Sequence, residues 1–154
     1  MKFSTREDIE VPIAYTFAQV SDFAAFERRA LRHGAQITRV DAGPVQAGSE
    51  WKIAFKFRGR NRALDATLSI LDAPNAYQVL GASDGMKVTT DIELVALSPT
   101  RTRIVVGMDI RAKTMTSRLV LQSMKLAKAK LTKRFRARIL EFSEDIEDGY
   151  RKAQ

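Results

Sequence analysis

The sequence predicts an α+β domain in which a curved antiparallel sheet of six to seven strands, with two short helices after the first strand, wraps around a long C-terminal helix. Three observations carry that expectation. Strand signals follow one another from residue 36 to residue 112, separated only by short turn-forming segments. The block before them, residues 13–34, spaces its apolar residues at helical intervals, with a pause at Ser21-Asp22. From about Ser117 to Tyr150 no glycine or proline intervenes until Gly149, and apolar residues recur along one helical face.

In chain order, residues 2–11 place Phe3, Thr5, Ile9 and Val11 on one side, as a strand with one covered face does, and Pro12 stands where a helix can begin. Ile13, Phe17 and Val20 space the first short helix. Phe23, Phe26 and Ala30 space the second, with Asp22 as its N-cap and Gly34 at its end. Strands are expected over 36–42, 49–58, 62–72, 77–83, 86–97 and 102–112. Their separators are Gly43-Pro44 with Gly48, Gly59-Arg60-Asn61, Pro74-Asn75, Asp84-Gly85 and Ser98-Pro99-Thr100. Each carries turn chemistry, so neighbours should pair as antiparallel hairpins. The alternation is clearest in SEWKIAFKFRGR, residues 49–60: Trp51, Ile53, Phe55 and Phe57 point one way, and Glu50, Lys52, Lys56 and Arg58 the other. The closing helix, about 30 residues long, carries Val120, Met124, Leu131, Phe135, Ile139, Phe142 and Ile146 on its apolar side.

The 154 residues fit one domain, 1–154, which should bury roughly two thirds of its unfolded surface. Cysteine is absent, which excludes a disulfide framework and a thiolate metal site and points to a reducing compartment. The first residues, MKFSTREDIE, carry charges where a signal peptide needs an apolar run, and no apolar stretch approaches the roughly 20 residues of a membrane span. A soluble cytoplasmic protein is expected. The net charge of +8 is local: nine basic residues and no acid fall between Lys113 and Leu140, and the rest of the chain is nearly balanced.

A sheet with one apolar face must be covered, and the terminal helix is the only element long enough to cover it. The inward rows are expected to be Trp51/Phe55/Phe57, Leu64/Leu68/Ile70, Tyr77/Val79, Val88/Ile92/Leu94 and Ile104/Val106/Met108. A strongly curved sheet holds its helix away from its middle, leaving an apolar hollow of the kind that takes ligands.

The run EVPIAYTFAQVSDFAAFERRA after a first strand, the GPVQAGSEW loop entering an aromatic strand, and the closing helix resemble the helix-grip, START-like superfamily, in particular its SRPBCC and polyketide cyclase/dehydrase-like branch. The resemblance spans the whole chain. It implies a cavity between sheet and long helix for lipids, polyketides or other hydrophobic small molecules, in proteins that are carriers, sensors or enzymes; fold alone does not choose.

The expected ligand-binding wall is Trp51, Phe55, Phe57, Leu68, Tyr77, Thr90, Ile92, Met108, Met124, Lys128, Leu131 and Phe135. The aromatic row Trp51, Phe55 and Phe57 reads as pocket wall ahead of ordinary core packing, and both can hold at once. Thr90 and Ser83 share inward faces, where a hydroxyl meets either a ligand or local backbone. Tyr77 can sit in an apolar wall and present one hydroxyl. Stepping about 100° per residue puts Lys128 inside the apolar arc of the closing helix. There it either pairs with a ligand carboxylate, phosphate or phenolate, or snorkels to water. His33, the only histidine, falls at a helix end, where a donor meets unsatisfied carbonyls. No cofactor or metal site is expected. If the chain is an enzyme of the cyclase/dehydratase type, Tyr77, Lys128 and Glu7 are the candidate acids and bases.

Lys125, Lys130, Lys133, Arg134 and Arg136 fall mostly on the opposite arc with Leu119, Leu126 and Leu140. Such a face is either simply solvated or rests on an anionic membrane, where each cation contributes about 1 kcal/mol. Nucleic acid is the weakest reading, because the aromatics lie on the dry face.

Overall fold

In the computed structural model, which describes residues 1–57 and 59–154, β1 (Lys2–Ile9) is followed by α1 (Ile13–Val20) and α2 (Phe23–Arg32). Six strands come next: β2 (Gln36–Arg39), β3 (Glu50–Phe57), β4 (Arg60–Asp72), β5 (Ala76–Ser83), β6 (Met86–Ser98) and β7 (Arg101–Ala112). Arg58, placed by alternation on the outer side of β3, lies outside the described residues. The strands form one antiparallel sheet in the order β1-β7-β6-β5-β4-β3-β2. Consecutive strands pair as hairpins, and β1 returns to the far edge beside β7.

The chain leaves β1 earlier than the alternation predicts, at Ile9. Val11 is fully buried, but its carbonyl accepts from the Thr102 hydroxyl at 2.7 Å rather than from a strand partner. Pro12 then opens α1, and Asp22 caps α2 by accepting from the Ala25 amide at 3.1 Å. Gly34, with φ +82°, ends that turn, one residue beyond His33, which is the C-cap residue.

The expected row Leu64/Leu68/Ile70 is broken by a β-bulge. Leu68 pairs with Val79 and Ile70 with Gln78, so Ser69 is the extra residue and the alternation flips after it. Ile70 turns outward to 50% exposure, Leu71 takes the inward position, and the Ser69 hydroxyl donates to the Gln78 carbonyl at 3.2 Å.

The closing helix is two helices, α3 (Met115–Leu126) and α4 (Lys128–Ala153), rather than the single helix expected from Ser117 to Tyr150. At Ala127, φ is −104° and ψ is 16°, and its N–H returns three residues, to the Met124 carbonyl at 3.0 Å, which interrupts the ladder. The segment holds no helix breaker. Tertiary packing overrides propensity here: α3 rests on β7, and α4 lies principally along β1.

Candidate functional site

The inner face of the sheet is closed at one end and open at the other. At the closed end, where β3 and β5 begin, α1 and α2 bring aromatic rings down onto the strands. Phe23 lies 5.3 Å from Trp51 and 5.2 Å from Tyr77, ring centroid to centroid, and Phe17 packs edge-on to Tyr77. α4 adds Phe142, whose ring is 5.7 Å from that of Phe26, and the fully covered Ile146. Polar atoms in this core are matched: the Trp51 indole donates to Glu27 at 3.0 Å, and the Tyr77 hydroxyl donates to the Val20 carbonyl at 2.7 Å. Burial pushes the Tyr77 phenol well above its usual pKa.

At the other end, the ends of β3, β5 and β7 and the starts of β4 and β6 meet under α3. Here an apolar cavity of about 220 Å³ remains. The sheet contributes Phe55, Phe57, Leu64, Met86, Val88 and Ile110 to its wall, and α3 contributes Thr116, Ser117, Val120 and Met124. Arg62, Ser83 and Asp84 supply further polar groups. Ser83 is occupied, since its hydroxyl donates to the Ala63 carbonyl. Ser117 is occupied too: it forms a capping box with Thr114 and donates to the Gly85 carbonyl at 3.2 Å. Together with the Lys113 amide, which donates to the same carbonyl at 2.8 Å, this pins the start of α3 to the β5–β6 turn. Gly85 has no alternative there. Its φ is +77°, and a Cβ would stand 2.6 Å from the Thr114 hydroxyl oxygen.

Arg62 was not among the residues expected at the site, although it shares the inward parity of Leu64, Ala66 and Leu68. Its guanidinium is at the cavity rim, 5.6 Å from the centroid of Phe57. It donates to the Phe57 carbonyl at 3.4 Å and to the Asp84 carboxylate at 3.5 Å. The signal was a charged residue on the dry face of a strand.

Of the expected wall residues, the structure brings Phe55, Phe57 and Met124 to this cavity. Trp51, Leu68 and Tyr77 are buried in the closed core instead, because α1 and α2 fill the space in front of them. Thr90, Ile92 and Met108 are half-buried in the middle of the sheet, outside the cavity wall. Leu131 and Phe135 are half-buried on α4, where Phe135 stacks against Phe3 of β1, 5.9 Å between ring centroids. Lys128 is exposed at the start of α4, not on an inner arc: the break at Ala127 resets the helical phase that had placed it there. Glu7 is half-buried on β1, away from the cavity.

A second depression, about 920 Å³, runs across β1 and β4–β7, but Lys2, Asp65, Lys87, Asp91 and Arg111 give it ionic groups of both signs, a poor match for an apolar ligand. Among the described residues, no group of three or more histidine or carboxylate side chains gathers as a metal site would, and no helix is long and apolar enough to cross a membrane.

No protein-family model and no curated protein sequence matches the chain significantly. Solved structures do. The chain is similar to the crystal structure of Ara h 8.0201 at 19% identity and a TM-score of 0.62, over 100% of this chain and 99% of that one. It is similar to the Zhui aromatase/cyclase of a Streptomyces species at 11% identity and a TM-score of 0.65, over 100% and 96%. A START superfamily protein from Mycobacterium smegmatis aligns at 14% identity and a TM-score of 0.57, over 86% and 95%. At such identities the likeness establishes the fold: this chain has the START-like, helix-grip architecture.

Proposed function

We propose that the protein binds or carries a hydrophobic small molecule in the cavity beneath α3. The observation that carries this reading is the apolar void itself, left between Phe55, Leu64, Val88 and Val120 in a chain whose other end is closely packed. The similar structures, an aromatase/cyclase and a START superfamily protein among them, support it at the level of the fold. Carriage is favoured over cyclase/dehydratase turnover. Among the described residues, the ionisable side chains in the cavity wall are Arg62 and Asp84, which are joined to each other, while Tyr77, Lys128 and Glu7 stand outside the wall.

Decan-1-ol serves as a neutral apolar probe. A ligand specific for the folded state raises the melting temperature, and Val120→Phe, which fills the void, should remove that rise while the protein stays folded. The reading fails if decanol leaves the melting temperature unchanged, or if Val120→Phe responds as the wild type does.

A second reading rests on a separate surface. Met115, Leu119 and Leu126 stand 72%, 61% and 92% exposed on α3. Lys113, Arg118, Lys125, Lys130, Lys133, Arg134 and Arg136 are exposed around and beyond them. Apolar side chains set among cations suit an anionic membrane surface. Sedimentation with phosphatidylserine vesicles should weaken with added salt and be lost in the Lys130→Glu, Lys133→Glu double variant. Sedimentation indifferent to both sinks this reading and leaves the cavity reading intact.

A further inference from the structure

Arg62 is an unusual residue to find in the wall of a greasy cavity. Its side chain is only 24% exposed, and its partner Asp84 is 71% exposed at 3.5 Å, long for a charged hydrogen bond. A guanidinium largely withdrawn from water needs close oxygen partners, and a distant carboxylate in solvent offsets little of that need. Among the described residues its other partners are the Phe57 carbonyl at 3.4 Å, also long, and the face of the Phe57 ring, 5.6 Å to its centroid. A fork of five N–H donors therefore stands at the rim of an apolar chamber with weak engagement on every side.

The surroundings extend the same polarity. Lys87 and Lys113 line a shallow depression that shares Ser83, Asp84 and Met86 with the cavity. Their ammonium groups are close enough that Lys87 draws the Lys113 pKa down. Across the β5–β6 turn, then, Asp84 stands among three cations, Arg62, Lys87 and Lys113, with Asp65 as a second carboxylate in the same depression. Inside, among the described residues, the wall carries no charge besides Arg62 and Asp84.

We infer that the ligand is a single-chain amphiphile whose carboxylate head replaces Asp84 on the Arg62 guanidinium while its hydrocarbon body fills the cavity beneath α3. This rests on the cavity reading above and adds the chemistry of the head group. A carboxylate suits the fork because one carboxylate, Asp84, already lies against it, and a mobile one can close to a bidentate geometry that Asp84 does not reach. The chamber of about 220 Å³ holds roughly seven groups of the volume of a water molecule, about 30 Å³ each. A chain of about seven carbons fits with its head at the rim, and the last carbons of a ten-carbon probe reach past the wall.

The experiment is calorimetric titration of the full chain with sodium decanoate and with decan-1-ol at a pH near 8, where the acid is ionised. Wild type should prefer decanoate by about tenfold, as one charge-assisted pair allows. Arg62→Gln should collapse that preference by a similar factor. Asp84→Asn should raise it about threefold, by removing the competing carboxylate while keeping a residue tolerant of the φ of 45° at this position. Asp84→Asn keeps the test valid should Arg62→Gln fold poorly. Equal affinity for acid and alcohol, or a preference unmoved in both variants, overturns the head-group assignment and leaves the cavity reading standing. If neither probe binds, both fall.

Discussion

The two ends of this molecule use the same strands and reach opposite results. At the closed end, α1, α2 and the second half of α4 present Tyr15, Phe17, Phe23, Phe26, Phe142 and Tyr150 to the sheet and to one another. At the open end, α3, MTSRLVLQSMKL, contains no aromatic residue at all, and Thr116, Ser117, Val120 and Met124 face the strands. The sheet supplies aromatics at both ends, Trp51 and Tyr77 at one, Phe55 and Phe57 at the other. What decides between a filled core and a hollow is the bulk carried by the covering helix.

The sharpest way to break that comparison is to remove the same kind of bulk from each end. Leu68 is fully buried, so Leu68→Ala should destabilise the fold by about 2–5 kcal/mol, the transfer term plus a new cavity. Met124 already borders a void, and Met124→Ala should cost no more than about 1 kcal/mol. Denaturant titration of the two variants measures the difference; equal losses would mean the open end is packed as well as the closed one.

A smaller effect is expected at the hinge of the cover. Gly85→Ala forces a side chain into a positive φ and against Thr114, so it should cost about 1–3 kcal/mol. Because that turn anchors α3 through Ser117 and Lys113, the same change should also weaken decanol binding. Thr114→Ser alongside it, which trims the methyl carbon that would lie 2.7 Å from the new Cβ, should restore part of the stability. Full stability in Gly85→Ala would mean that α3 is not held by this turn.

Much of the closed end was legible in sequence and the open end only in part, for physical reasons. Alternation reported the inner rows of β3 and β5–β7 because a period of two survives wherever one face is dry. It failed at Ile70, since a bulge inserts one residue without any compositional mark. Asp22 and Gly34 announced the ends of α2 through capping chemistry. Nothing in KLAKAKL announced the break at Ala127, which tertiary packing imposes, and Lys128 was therefore carried to the wrong side by a continuous helical wheel. Trp51 and Tyr77 were read as wall because their type and parity are those of wall residues. That α1 and α2 stand in front of them is a matter of where two short helices dock, and periodicity does not encode that. Arg62 was visible as a cation on an inward parity, a conflict between residue type and pattern of the sort functional positions produce.

Tyr77 gives the smallest effect and the finest distinction between the two ends. Its hydroxyl spans from β5 to the last carbonyl of α1 at 2.7 Å, so Tyr77→Phe leaves the Val20 carbonyl without that partner and should cost about 1–2 kcal/mol. The loss carries a pH signature. Burial holds the folded phenol neutral beyond its ordinary pKa of about 10, whereas the unfolded chain releases that proton there, so the unfolded state gains as the pH rises. The stability contributed by Tyr77 is complete below about pH 10 and declines above it. The gap between wild type and Tyr77→Phe should therefore narrow as the pH rises above about 10. Decanol affinity should be the same in the two at pH 8, because the hydroxyl is committed to the core. A variant that loses affinity with its stability intact would return Tyr77 to the ligand and move the binding site from the open end to the closed one.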